Sequence, residues 1–199
     1  TQNRVIWNMT DFYEIDFLDV KSPKSGDAIC IRYRIDGRIY IHVVDGGYLS
    51  TGDHVVEHVD AHYGYPTFID HVVATHPDGD HAAGLRTVVE AYDVGTLWLH
   101  RPWLYVDELV HRFTRFSNPA NLARRLREIY PHLSALEEIA LRRGIPMAAP
   151  FRGAQIGAFT VLSPTYDQLL DLVAASERTP ESTSDEIAET LGLAKLANK

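Results

Sequence analysis

The stretch that most limits what this chain can become is Ala74-Thr75-His76-Pro77-Asp78-Gly79-Asp80-His81-Ala82-Ala83-Gly84-Leu85. It follows an apolar run, Phe68 to Ala74, that has the character of a buried strand. Past Gly84 it leads into Leu85, Val88, Val89 and Tyr92 at helical spacing. A tight loop between a strand and a helix can aim His76, Asp78, Asp80 and His81 at one point. Imidazole and carboxylate together suit a borderline-to-hard divalent ion such as zinc or manganese. Asp, Gly and Pro are also ordinary turn residues, so the alternative is a polar surface turn. A turn has no need of two histidines and two aspartates so closely spaced, and the metal reading is preferred.

Composition bounds the rest. The chain has 199 residues, 45% hydrophobic and 23% charged, enough for one sizeable core, and a single domain over 1–199 is expected. No apolar run approaches the roughly 20 residues that span a bilayer. Thr1-Gln2-Asn3-Arg4 does not open like a signal peptide, so no membrane partner and a cytoplasmic protein are expected. Cys30 is the single cysteine, which excludes an internal disulfide and cysteine-based zinc sites; its alternating strand context predicts a small core residue.

The net charge of −8 argues against a generally nucleic-acid-binding surface. The charge is unevenly spread. Between Arg101 and Arg152, nine arginines face five acids (Asp107, Glu108, Glu128, Glu137, Glu138), a balance of +4 that leaves −12 elsewhere. Such a block could follow a phosphate backbone, although a solvated helical face is the commoner explanation.

In chain order, Glu14 to Val20 reads as a strand, and Ala28–Ile35 and Arg38–Val44 as a hairpin around Asp36-Gly37. Thr51 to Tyr63 is expected to be a helix with Val55, Val56 and Val59 buried. Its His54, His58 and His62 form a row on one face, read as solvent-facing rather than metal-binding. Val94 to Leu99 predicts another strand, with His100 and Arg101 at its end as candidate substrate-facing residues. A helical block over 103–150 follows: Tyr105 to Phe116, then a helix capped by Asn118 with Pro119 first, then Ser134 to Arg143 ending at Gly144. It is expected to be an insertion beside the site. Ala158 to Leu162 predicts a strand, Tyr166 onward a helix, and Ser184 to Asn198 a last amphipathic helix.

The ligand stretch resembles the His-x-His-x-Asp-His signature of the metallo-β-lactamase superfamily, with Asp78 in place of the second histidine. His-Pro-Asp-x-Asp-His-x-x-Gly-Leu is similar to the domains related to the ComEC/Rec2 competence proteins. Phe17-Leu18-Asp19-Val20 followed by Gly26-Asp27-Ala28-Ile29 resembles that branch's opening, here with an insert carrying Lys21, Pro23 and Lys24. Val43-Val44-Asp45-Gly46-Gly47 resembles the superfamily's strand-ending Asp-Gly motif. The resemblance implies an α/β (α+β) fold, the αββα sandwich, of which only the N-terminal part plus the helical insertion is expected here. Ser163-Pro164 stands where many members carry another histidine, and no later bridging aspartate or final histidine follows. The chain is therefore expected to be incomplete, completed by a C-terminal half or a partner chain.

That resemblance also implies hydrolysis by a metal-bound hydroxide, using one or two divalent ions, zinc or manganese. His76 and Asp78 would hold the first ion and Asp80 and His81 contribute to the second. Asp80 would also orient the attacking water as the catalytic residue. Asp45 would sit behind the ligands, hydrogen-bonding a histidine or the loop backbone, with direct ligation the alternative. The implied activity is a phosphodiesterase or nuclease with nucleic acid as partner through the basic block. A small-molecule ester or cyclic-nucleotide hydrolase, or a non-catalytic partner-binding module, are the other readings.

Overall fold

The computed structural model describes residues 10–21, 25–113 and 118–176. They divide into two compact units: one built from the residues up to Leu99 together with Ala135–Ala148, the other from His100–Ser134 and the residues from Ala149 onward.

The first unit is an α/β structure around a six-stranded mixed sheet in the order β1-β2-β3-β4-β5-β6. Strands β1 (Phe12–Phe17), β2 (Ala28–Ile35) and β3 (Arg38–Gly46) are antiparallel neighbours. β4 (Phe68–Val73), β5 (Asp93–Trp98) and β6 (Met147–Ala148) continue the sheet in parallel from β3. The expected hairpin is present with Ile35 paired to Arg38, and Asp36 and Gly37 both have positive φ, as a two-residue turn of this hand requires. The first strand begins and ends earlier than expected, at Phe12 and Phe17.

Register sets the core. Cys30, Val43, Val72 and Leu97 lie side by side on one face and are fully buried. Helices α1 (Gly52–Tyr63) and α3 (Leu85–Ala91) pack against the sheet and each other. Their Val55, Val59, Leu85, Val88 and Val89 are fully buried, each contributing about 1.5–3 kcal/mol relative to exposure. Burial, with the Asp16 charge adding, pushes the Cys30 thiol up to about 12, which fits a packing role and no reactive one. The histidine row on α1 differs from expectation. His58 Nε2 lies 3.0 Å from Asp16 Oδ2 on β1, and the Tyr63 hydroxyl donates to the same oxygen at 2.7 Å. Only His54 and His62 keep much solvent contact.

The opposite sheet face carries His42, 1% exposed, with its Nε2 3.0 Å from the Tyr33 hydroxyl and its ring against His71. Burial drives the His42 imidazole down to about 3, and the neighbouring His71 adds to this. Burial lowers His71 as well. An unfolded histidine titrates near 6.5, so between these values the unfolded chain binds the extra proton and stability falls as pH drops. His42 alone should cost about 2 kcal/mol between pH 6.5 and 5. Urea midpoints at the two pH values should therefore differ, and His42→Gln, which keeps an acceptor for Tyr33, should shrink that difference. An unchanged difference would refute the assignment.

The second unit is mainly helical. Asn118 Oδ1 accepts from the amides of Ala120 and Asn121 and caps α5 (Pro119–Ile129), as its sequence predicts. The expected long helix from Tyr105 is instead α4 (Val106–Leu109) continued by a 3-10 turn at Val110–Arg112; residues 114–117 lie outside the described residues. No side chain caps its start, and the β-branched Val106 and Val110 are weak helix formers. Helix α6 (Pro131–Arg143) begins three residues earlier than predicted and leads through Gly144 to β6. Thus 135–148 of the expected insertion belong with the sheet. The strand expected over 158–162 is reduced to a short hairpin of β7 (Gln155–Ile156) and β8 (Phe159–Thr160). Thr165 and Gln168 form a reciprocal cap on α7 (Tyr166–Ala175). The predicted helix over 184–198 lies outside the described residues.

Among the described residues, six arginines of the basic block pair with acids or lie over a ring. Arg124 and Arg125 pair with Glu128 at 2.7 and 3.1 Å, and Arg112 pairs with Asp171. Arg127 lies over the Trp103 ring. In the first unit, Arg142 pairs with Glu90, and Arg143 lies 3.5 Å from Asp93. No helix among the described residues is long and apolar enough to cross a membrane.

Candidate metal centre

Asp45, the residue before the last of β3, sits at φ 55, a left-handed conformation that Asp tolerates better than most side chains. Next to it, β4 runs parallel and stops at Val73; the loop that follows carries Thr75 and His76 and passes into the single-turn helix α2 (Gly79–Ala82). Asp78 starts that turn: its carbonyl accepts from the amides of His81 and Ala82 at 3.1 and 2.8 Å. The turn swings His81 back toward Asp45. Gly84 then packs backbone-to-backbone on Gly46, so close that a Cβ on Gly84 would lie 1.9 Å from the Gly46 carbonyl oxygen. The Gly84 amide donates to the Gly47 carbonyl at 3.0 Å, which ties the segment after His76 and His81 to the end of β3.

Asp45 is the centre of the arrangement and is 2% exposed. Its Oδ1 accepts from the Thr75 amide at 2.8 Å. Its Oδ2 accepts from the Thr75 hydroxyl at 2.5 Å and is 3.0 Å from His81 Nδ1. The Thr75 hydroxyl is also 3.0 Å from His76 Nδ1. The rings of His76 and His81 lie 3.7 Å apart between centroids. Asp45, His76 and His81 each offer a ligand atom within 4.8 Å of the others, so this group could hold a metal ion. Asp45 and His81 are buried, while His76 reaches solvent.

Of the residues expected from sequence, His76 and His81 are brought together with Asp45. Asp80 borders them, its Oδ2 3.8 Å from His81 Nε2. Asp78 starts the turn but is not part of the three-residue group. His100 and Arg101 belong to the second unit. There His100 packs on Phe151 with ring centroids 4.8 Å apart, and neither of its buried ring nitrogens meets hydrogen-bond geometry with a partner. Burial lowers His100 to about 4, the nearby Pro150 carbonyl pulling the other way.

Three residues join the site that sequence reasoning had not placed there. Asp27 Oδ2 lies 3.7 Å from His81 Nδ1, and Ser25 Oγ donates to Asp80 Oδ2 at 3.2 Å. The segment is fastened by the Asp27 amide to the Asp80 carbonyl and by the Gly47 amide to the Asp27 carbonyl. The Gly26-Asp27 motif was the available signal for Asp27 and Ser25. Thr75, third of the three, carried none beyond its place before His76. No protein-family model matches this chain, and no curated protein matches it either, so the functional reading stands on this geometry and on the residues that form it.

Proposed function

We propose that this chain is a metal-dependent hydrolase of the metallo-β-lactamase kind, related to its ComEC-like branch, acting on a phosphodiester. The observation that carries the proposal is the buried Asp45 carboxylate joined directly to His81 and, through Thr75, to His76. Two imidazoles backed by one carboxylate are a donor set that fits zinc or manganese, with His76 and His81 as ligands. Asp45 acts behind them, since its oxygens already accept from Thr75 and His81. Asp78 and Asp80 are the acidic residues available to complete one or two ion positions. A divalent ion at such a site lowers the pKa of coordinated water to around 7 and polarises a phosphoryl or carbonyl oxygen.

The chain's own residues supply the rest. In this reading Asp80, which accepts from the Ser25 hydroxyl and borders His81, takes a proton from the attacking water. The mixed sheet with helices on one face agrees with the first half of an αββα sandwich. A small-molecule ester or cyclic nucleotide is the second reading, favoured by the pairing of Arg124 and Arg125 with Glu128, which a nucleic acid would have to displace. A partner-binding module without activity is the reading that remains if hydrolysis is absent.

Elemental analysis after dialysis against zinc or manganese should find at least one ion retained per chain, and His76→Ala with His81→Ala should abolish retention. With metal bound, Asp80→Ala should lower hydrolysis of bis(p-nitrophenyl) phosphate by about 10²–10⁴-fold while the fold persists. Hydrolysis of p-nitrophenyl acetate but not of the diester would select the ester reading. Salt-sensitive DNA binding lost on Arg124/Arg125 replacement would select the nuclease. A folded chain that retains no ion sinks the hydrolase proposal.

A further inference from the structure

We infer that Thr75 is a positioning residue through which Asp45 fixes the tautomer of His76, so that one buried carboxylate sets the proton of both histidines. The inference rests on the metal site proposed above and deepens it. It follows from counting protons along the hydrogen-bond chain.

An ionised carboxylate has no proton to give, so every contact to Asp45 is one it accepts. The Thr75 hydroxyl has a single hydrogen, and at 2.5 Å from Asp45 Oδ2 that hydrogen is committed to the carboxylate. The same hydroxyl oxygen lies 3.0 Å from His76 Nδ1. With its hydrogen used, Thr75 meets His76 only as an acceptor. Nδ1 of His76 must therefore carry the proton, and Nε2 is left with its lone pair. His81 needs no relay: its Nδ1 faces Asp45 Oδ2 directly at 3.0 Å, donates there, and also leaves Nε2 bare. A metal ligand has to present a lone pair, so both histidines are held in the ligating tautomer through Nε2 before an ion arrives. The amide of Thr75, donating to Asp45 Oδ1 at 2.8 Å, holds the residue in place for this role. Thr75 itself is exposed, so the relay works at the solvent edge of a buried carboxylate.

The test reads tautomers in the metal-free protein by long-range ¹H–¹⁵N correlation of the imidazoles at pH ~8.5, about two units above an ordinary histidine. Wild type and Thr75→Ser should both show His76 protonated at Nδ1. Thr75→Val, which keeps the shape and the amide but has no hydroxyl, should lose that preference at His76. His81 should stay protonated at Nδ1 in all three, reporting that the site is still folded. Zinc affinity, measured by chelator competition, should fall about 10-fold in Thr75→Val and stay within about 2-fold in Thr75→Ser. Wild-type His76 protonated at Nε2 would overturn the inference without any variant. So would a Thr75→Val protein whose His76 tautomer and zinc affinity match wild type. Failure of the hydrolase proposal shows separately: a wild-type chain that takes up no zinc refutes the metal site, while the tautomers still report on the relay.

Discussion

Gly84→Ala should destabilise the protein by about 3 kcal/mol or more, among the larger effects a single methyl group can have. The added Cβ would stand 1.9 Å from the Gly46 carbonyl oxygen, 2.7 Å from the Gly46 carbonyl carbon and 2.7 Å from the Tyr48 carbonyl oxygen. All three are backbone atoms, so no rotamer change relieves the overlap. Relief requires the start of α3 to move away from β3. That movement breaks the bond from the Gly84 amide to the Gly47 carbonyl and carries the preceding turn, with His81, away from Asp45. Gly84 φ is −69, so alanine is not refused by backbone conformation, and the cost lies in the contact alone. Thermal or urea unfolding of Gly84→Ala, beside Gly144→Ala as a control with open space around its Cβ, measures it. The control loses only the left-handed preference at φ 70. A Gly84→Ala protein as stable as wild type would show that the glycine contact does not hold the loop.

The second large effect is expected at Asp45. Asp45→Asn keeps the size of the side chain and can still accept from the Thr75 amide. Its NH₂ group, however, replaces the oxygen that accepts from the Thr75 hydroxyl and from His81 Nδ1. The Thr75 hydroxyl can turn to accept from that NH₂, but His81 Nδ1–H then faces a donor in a position that is 2% exposed, and an unmet buried group costs about 1–3 kcal/mol. His81 can recover a bond only by moving its proton to Nε2, which removes the lone pair a metal needs. Zinc affinity should therefore fall 10–100-fold, the usual range for a lost partner behind a ligand. Competition titration of folded Asp45→Asn checks this. Affinity within a factor of two of wild type would mean that Asp45 does not orient the ligands. Asp45→Ala, which adds no opposing donor, separates the loss of an acceptor from the clash.

The residues that act at short range were legible in the chain itself. The strand, loop and helix around His76 to His81 follow from an apolar run, turn residues and a return of helical spacing. Asp36-Gly37 specifies its hairpin, and Asn118-Pro119 the start of α5, because turn and cap chemistry involve neighbours two or three residues apart. What required the tertiary structure joins residues far apart in sequence. Asp45 meets Thr75 across 30 residues and His81 across 36, and Ser25 meets Asp80 across 55. Periodicity carries no record of such pairs, since strand order and register alone bring them together. The same reason applies to β6, which enters the sheet beside β5 after a helical crossover, and to Arg142, whose partner Glu90 lies 52 residues away. The residue types of the candidate site stand in the sequence; their meeting with Asp45 is decided by the parallel pairing of β3 with β4.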